Sequence, residues 1–191
     1  MALRSTIHKA QLSVADLDRG HYADHALTLA RHPSETEERM MVRLLAFGLH
    51  ADEALAFGRG LSSEGEPDLA LRDDTGRLRL WIEVGLPDEK WVRKAASQAD
   101  RVVLIAYGGA RADLWWRGNA AALARHEGLR VLACDEAGTR ALAALAGRTM
   151  RLSITIQEGQ ALVSDGAGSA EIAITVLKPG PAHEAGGTDR R

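Results

Sequence analysis

Two continuous apolar runs, RVVLIA at residues 101–106 and LRVLAC at residues 129–134, limit the possible folds of this chain more than any other feature. Short runs without polar alternation are typical of strands that are covered on both faces, as in parallel sheets. Stretches with helical character lie around these runs, at residues 87–100, 112–128 and 135–148. This alternation predicts an α/β fold with some α+β character, in which helices flank a mixed central β-sheet.

Both ends of the chain predict extra β-hairpins. Residues 5–15, STIHKAQLSVA, alternate as a strand does; residues 22–32, YADHALTLARH, either pair back on them or form a helix, since alanine is compatible with both. Near the carboxyl end, residues 151–166 alternate and turn at Glu158-Gly159, which is typical of a second hairpin. One more strand, AEIAITVL, is expected after it.

The segment HPSETEERMMVRLLAFGLH contains the clearest helix start in the sequence. Ser34 is predicted as the N-cap, and Glu37 three residues later completes a capping box. Met41 and Leu45 follow at helical spacing, which indicates an apolar stripe on one face. Glu38 falls at the edge of this inward-facing stripe.

Size and composition favour a single domain. The chain has 191 residues, of which 46% are hydrophobic, enough for one ordinary core. We therefore expect one domain over residues 1–178. A disordered tail is expected over residues 179–191, because PGPAHEAGGTDRR has nothing to bury.

Charge and cysteine content bear on partners and location. Lys and Arg number 24 against 26 Asp and Glu, which argues against binding nucleic acid through bulk charge but leaves local contact open. The single cysteine, Cys134, fits a reducing cytosol and is expected to be a buried strand-end residue. No window approaches the ~18 apolar residues of a membrane span, and the N-terminal residues lack the apolar region of a signal peptide. These features predict a cytoplasmic protein without a membrane partner.

The stretch EPDLALRDDTGRLRLWIEVG, residues 66–85, has the pattern of a β-hairpin. A two-residue loop at Thr75-Gly76 would place the leucines and isoleucine of both arms on one face and set Arg72 opposite Arg79. A slip of one residue would mix the two faces. The hydrophobic pattern therefore supports this register.

The same register places Asp68 opposite Glu83. The Cβ atoms of opposed residues lie roughly 4.5–5.5 Å apart, and like charges there are destabilising. Three arrangements relieve the repulsion: one carboxyl keeps its proton, a cation binds between the two, or the side chains turn to solvent or to a nearby arginine. A hard divalent ion such as Mg²⁺ prefers such oxygen ligands.

The sequence resembles the bacterial YaeQ family over nearly its whole length, to about Leu177. The resemblance rests on LTLARHPSETEERMMVRLLAF, EPD, LWIEVGLPDE, RKA, WW, and RTM followed by TIQEG and SDG. Pro67-Asp68, with Glu83 after it, is also similar to the motif of the PD-(D/E)XK nuclease superfamily, of which the YaeQ family is regarded as a variant. The resemblance implies a restriction-endonuclease-like core with an acidic site at the end of the hairpin.

The resemblance also implies which acids form the site. Asp68 and Glu83 take the hairpin roles, and Glu38 takes the role of the acid from the first core helix. These three would then be the ligands of Mg²⁺ or Mn²⁺. Glu35 is a weaker candidate for the helix acid, because a favourable position near the helix N-terminus also explains it.

The lysine of the motif is missing, since Gly85 stands two residues beyond Glu83. The chemistry needs a cation there to orient the attacking water and to offset charge on the phosphate. Lys94, in the following helix, is the best substitute, and Lys90 lies one turn earlier on the same face.

Three functions remain open from the sequence. The first is a metal-dependent phosphodiesterase that uses Asp68, Glu83, Glu38 and Lys94. The second is a nuclease-like module that has lost turnover and binds nucleic acid or a protein partner. The third is a purely structural cluster of acids.

Overall fold

The structure is a computed structural model that describes residues 4–58 and 65–181. Within these residues, ten strands form one mixed sheet and four helices pack on it. The predicted mixed sheet with flanking helices is therefore confirmed, and the fold is of the mixed α+β type. In chain order the elements are β1 (Thr6–Asp16), β2 (His21–Arg31), α1 (Glu37–Leu49), β3 (Leu55–Phe57), β4 (Leu69–Arg72), β5 (Leu78–Val84), α2 (Glu89–Gln98), β6 (Arg101–Ala106), α3 (Ala110–Leu123), β7 (Leu129–Cys134), α4 (Glu136–Ala143), β8 (Thr149–Gln157), β9 (Gln160–Ser164) and β10 (Ser169–Lys178).

The order of strands across the sheet is β2-β1-β8-β9-β10-β7-β6-β5-β4-β3. β5, β6 and β7 run parallel to one another, as the two apolar runs predict, and β1 runs parallel to β8. The predicted terminal hairpins are present as β1–β2 and β8–β9, so residues 22–32 form a strand and not a helix. The restriction-endonuclease-like core stays a prediction, because the sheet continues well beyond these parallel strands on both sides.

The sheet curves around α1. The ring of Phe47 contacts His25 of one edge strand, with ring centroids 4.9 Å apart, and Phe57 of the other edge strand, at 5.7 Å. Every residue from Met40 to Gly48 is buried. The prediction of a one-sided apolar stripe is therefore wrong, because a helix enclosed by its own sheet is covered on all sides.

The four helices divide between the two faces of the sheet. α1 and α4 pack together on the inner face, where Leu142 joins the main hydrophobic core. α2 and α3 cover the outer face, where a second core contains Trp81, Val92, Leu104 and Leu123. The alternation of strands and helices in the middle of the chain produces this arrangement, since crossover helices lie on the faces of a parallel sheet.

The start of α1 differs from the prediction. Thr36, not Ser34, is the N-cap, and its hydroxyl accepts the backbone N–H of Arg39 at 3.1 Å. Ser34 instead lies in a turn closed by the N–H of Glu35 on the carbonyl of His32, and its hydroxyl lies 2.6 Å from Nδ1 of His32. This turn delays the helix by two residues, so the predicted capping box is wrong.

The central hairpin has the predicted register in its inner part. Leu69 pairs with Ile82 and Leu71 with Leu80, but Arg72 pairs with Leu78 after a register shift, so the expected pair of Arg72 with Arg79 is wrong. The cause is Asp73, whose Oδ1 accepts the backbone N–H groups of Thr75 and Arg77 and enlarges the loop. The two-residue loop at Thr75-Gly76 does not form.

Cys134 ends β7 and is buried, as predicted. Burial and the neighbouring Asp135 raise the pKa of its thiol to about 12, so it is not a nucleophile at neutral pH.

Within residues 4–58 and 65–181, no helix is long and apolar enough to cross a membrane. The predicted tail lies, after Pro181, outside the residues that the structure describes. The boundary of the single domain at residue 178 stays a prediction.

Candidate functional site

The candidate site lies at the carboxyl edge of the parallel strands. β5 ends at Val84 and β6 at Ala106. Tyr107 directly follows β6, and its pKa is influenced by Thr36, Glu38 and Arg39. The start of α1 therefore lies beside the ends of these strands. In open α/β sheets, ligands bind outside the carboxyl ends of parallel strands. The hairpin acids reach this edge because β4 and β5 are paired there.

Asp68 is held at this edge by two groups. Its Oδ2 accepts a hydrogen bond from the backbone N–H of Val84 at 2.8 Å. Nη2 of Arg39 donates to both of its oxygens, at 3.0 Å to Oδ1 and 2.7 Å to Oδ2. Asp68 is only 5% exposed. A nearby arginine was one of the arrangements left open by the sequence, and here it binds the carboxylate that was predicted to hold a metal.

Arg39 connects Asp68 to a second buried acid. Its Nη1 lies 2.9 Å from Oε1 of Glu35, and Arg43 donates to both oxygens of Glu35, also at 2.9 Å. The side chains of Glu35 and Arg43 are fully buried. Burial acts to lower the pKa of Arg39, but Asp68 and Glu35 outweigh it and the pKa is raised, so the guanidinium stays charged.

Glu83 is the second hairpin acid. Burial raises the pKa of its carboxyl, the charge of Asp68 raises it further, and the value reaches about 7, while Trp81, Trp91 and Arg39 act in the opposite direction. The indole N–H of Trp81 donates to Oε2 of Glu83 at 3.2 Å. The effect of Asp68 is what two acids facing each other across a hairpin produce.

Glu38 does not join these two acids. Its Oε1 accepts the hydroxyl of Thr139, in α4, at 2.7 Å, and it borders a depression that it shares with Arg111 and Glu136. In the parts of the chain that the structure describes, no three His, Cys, Asp or Glu side chains are grouped so that they could hold a metal ion. The helix acid nearest the Asp68 network is Glu35, and an arginine separates it from Asp68.

Lys94 lies beside the site without pairing to its acids. Its Nζ is 5.6 Å from the ring centroid of Trp91 and packs against Gly65. Among the described residues, no acid lies within ion-pair distance of Lys94. Trp91 contacts Trp81 edge-on, with centroids 6.2 Å apart, so Lys94 is separated from Glu83 by indole rings.

Arg39 and Arg43 were not predicted as site residues, and Glu35 was only the weaker candidate for the helix acid. A signal was present, because Glu35, Arg39 and Arg43 follow at i, i+4 and i+8, the spacing of ion pairs along one helix face. That spacing is common on solvent-exposed helices and gives no sign that the pairs are buried.

These features define a class of protein: a mixed α+β fold with two hairpin carboxylates at the carboxyl edge of parallel strands, one of them bound by an internal arginine. Residues 1–174 match the family model described as YaeQ protein. The chain belongs to the YaeQ family.

Relatives and solved structures agree with this assignment. A Salmonella typhi protein described as "Uncharacterized protein YaeQ" is 50% identical over 175 residues, 92% of this chain and 97% of the relative. The Escherichia coli (strain K12) protein of the same description is 47% identical over the same shares. The crystal structure of YaeQ protein from Xanthomonas axonopodis pv. citri has a TM-score of 0.88 at 49% identity, covering 91% of this chain and 98% of that one. The YaeQ protein from Pseudomonas syringae has a TM-score of 0.86 at 38% identity, covering 95% and 98%.

Proposed function

We propose that this protein is a catalytically inactive variant of the PD-(D/E)XK nuclease superfamily that binds nucleic acid in the cytoplasm without cleaving it. The observation that carries the proposal is the pair of hydrogen bonds from Arg39 to both oxygens of Asp68, at 3.0 and 2.7 Å. A divalent cation bound by Asp68 needs those same oxygens. In this chain a guanidinium supplies the positive charge.

The residues at the site do not fit Mg²⁺ or Mn²⁺. A metal at Asp68 would displace Arg39 and leave the buried carboxylate of Glu35 with fewer partners. Breaking a buried ion pair typically costs about 3–5 kcal/mol. Glu38 would also have to give up its hydrogen bond from Thr139. We therefore assign no hydrolytic step to Asp68, Glu83, Glu38 and Lys94.

Exposed cations on α2 and α3 support binding to a phosphate backbone. These two helices pack side by side on the outer face, and their exposed basic residues are Lys90, Arg93, Lys94, Arg111 and Arg117. A local group of this kind binds phosphates through counterion release even when the net charge of the chain is slightly negative. Nucleic acid is favoured over a protein partner because α2 and α3 expose five basic side chains but only one large apolar side chain, Leu114, among the described residues.

Fluorescence anisotropy with short labelled oligonucleotides tests this proposal. The probes are single-stranded DNA, duplex DNA and RNA, each with EDTA and with Mn²⁺. The variant Lys90→Glu/Lys94→Glu should weaken binding about tenfold or more and reduce the slope of log K against log salt by roughly 2. The matched control Lys9→Glu/Arg151→Glu makes the same charge change on exposed strand residues and should bind as the wild type does.

Two results would contradict the proposal. Equal weakening in both double variants would show that binding follows net charge and not the surface of α2 and α3. Mn²⁺-dependent cleavage that disappears in both Asp68→Asn and Glu83→Gln would instead favour the metal-dependent phosphodiesterase implied by the family resemblance.

A further inference from the structure

A second cavity lies at the opposite, amino edge of the parallel strands. It has a volume of about 90 Å³, several times the roughly 10–15 Å³ that one water molecule needs. Its walls come from the starts of β6 and β7, the residues after α1 and the chain after β10. The whole length of β6 separates it from the carboxyl edge described above.

Two arginines of adjacent strands line this cavity. Arg101 begins β6 beside Leu80, and Arg130 lies in β7 beside Val103. Because side chains alternate along a strand, Arg101 shares its face with Val103, which belongs to the core around α1. Both guanidinium groups are therefore on the inner face of the sheet.

Neither arginine has a partner among the residues that the structure describes. Among residues 4–58 and 65–181, Arg101 and Arg130 make no ion pair and no side-chain hydrogen bond, although both are half-buried. Arg19, which also lines the cavity, differs because it pairs with Asp16 at 2.6 Å. Partly burying a charge without a counter-charge is unfavourable, so two such arginines lining one cavity favour the binding of an anion there.

The end of α1 does not account for these two charges. The carbonyl of Phe47 accepts the N–H of His50 at 3.1 Å, and that of Gly48 accepts the N–H of Ala51 at 3.4 Å. The helix end is thus satisfied by its own backbone. The acid in the wall, Asp52, accepts the N–H of Ala54 at 2.7 Å and forms no ion pair within the described residues.

The rest of the wall fixes Arg130 and shapes the ligand. The backbone of Gly180 lies against the stem of Arg130, where an added Cβ would come within 2.9 Å of the Arg130 Cβ. Leu71, Leu80 and Val103 make the remaining wall apolar. The space is too small for a nucleic-acid strand and suits a small anion with a short apolar part.

We propose that this cavity binds a small oxyanion, a phosphate or carboxylate group, which Arg101 and Arg130 hold between them. Guanidinium groups match both oxyanions because their planar N–H pairs meet two oxygens at once. The site is separate from the proposed nucleic-acid surface, and either can fail without the other.

Thermal unfolding with inorganic phosphate, acetate and succinate tests the proposal, with chloride at equal ionic strength as the reference. At least one of these oxyanions should raise the Tm of the wild type and of the control Arg151→Gln, an exposed arginine elsewhere on the sheet. Arg101→Gln/Arg130→Gln should lose the shift, and Arg101→Lys/Arg130→Lys should retain part of it. A Tm shift of equal size in the glutamine variant, or none in the wild type with any of the three anions, overturns the proposal.

A second measurement covers the case in which the glutamine variant does not fold. The side-chain Nε–H resonances of Arg101 and Arg130, assigned through single Arg→Lys variants, should move when the oxyanion that raises the Tm is added to the wild type. Movement confined to other arginines would place the anion elsewhere and contradict the site.

Discussion

Arg39 and Asp68 lie 29 positions apart in the sequence, and Nη2 of Arg39 donates to both oxygens of the Asp68 carboxylate. Through this contact the first turn of α1 is joined to the open end of the central hairpin. The side chain of Arg39 is 13% exposed and that of Asp68 only 5%, so water screens the pair weakly. The positive charge of Arg39 offsets the repulsion between Asp68 and the other acid of the hairpin, Glu83.

Removing the guanidinium of Arg39 should show how much the stability of the protein depends on its contact with Asp68. Arg39→Met is expected to destabilise the protein by about 3–5 kcal/mol, because it leaves Asp68 and Glu35 without their shared partner. Urea unfolding measures the loss. Adding Asp68→Asn to Arg39→Met should recover part of it, whereas additive losses in the double variant would show that the pair does not interact.

Divalent metal should leave the wild type unchanged. Because Arg39 occupies the oxygens of Asp68, millimolar Mg²⁺ or Mn²⁺ is expected to produce no Tm shift beyond that of an ionic-strength control. A metal-dependent rise that Asp68→Asn abolishes would restore the metal site implied by the family resemblance.

Glu83 should make stability depend on pH. Burial and Asp68 raise the pKa of its carboxyl from 4.5 to about 7, so the folded state binds the proton more tightly than the unfolded state does. The stabilisation that comes from proton binding to Glu83 is therefore full below pH 4.5 and is lost as the pH rises to 7.

Glu83→Gln removes this titration and keeps an acceptor for the indole N–H of Trp81. We expect the free energy of unfolding of the variant to exceed that of the wild type by up to about 3 kcal/mol near pH 8 and by less than about 1 kcal/mol near pH 5. The size of this difference follows because one pKa unit corresponds to ~1.4 kcal/mol. Urea unfolding at both pH values measures the difference. A constant difference across this range would mean that Glu83 titrates normally.

Two glutamates of α1 form a matched pair for testing which acid is structural. Glu35→Gln should cost about 3–5 kcal/mol, because Arg39 and Arg43 both lose a buried counter-charge. Glu38→Gln should cost under about 1 kcal/mol, because its amide oxygen can still accept the hydroxyl of Thr139. Thermal or urea unfolding of both variants decides the point, and the reverse order would contradict the assignment.

The helix start gives a further matched pair. Thr36→Ala should lose about 1 kcal/mol, the usual value of an N-cap hydroxyl, because the N–H of Arg39 loses its acceptor. Ser34→Ala should change stability by less than about 0.5 kcal/mol, since Ser34 is exposed and lies before the helix. Equal losses would support the capping box predicted from the sequence.

Local patterns in the sequence predicted much of the fold. Alternation in the hairpin placed Leu69 opposite Ile82, and unbroken apolar runs predicted the parallel strands β6 and β7. These signals succeed because side-chain period and burial are properties of short segments. The loop around Asp73 was missed because a single side-chain oxygen, accepting two backbone N–H groups, changed the turn.

The site was predicted less completely. The charge of Asp68 raises the pKa of the Glu83 carboxyl, but the role of the two acids in a site stays a prediction. The partner of Asp68 could not be inferred, because Arg39 reaches it only when α1 is enclosed by the sheet. Contacts such as those of Phe47 with both edge strands accompany that enclosure, and no local pattern encodes them.

The parallel pairing of β1 with β8 has a consequence for biosynthesis. Lys9 lies beside Thr149 and Asp16 beside Ile156, so β1 gains this neighbour only after the long segment between the two strands has been synthesised. Until then its inward residues, such as Leu12 and Val14, have no sheet to join on that side. Folding of this protein should thus be slow, because pairing between such distant segments carries a large loop-closure entropy.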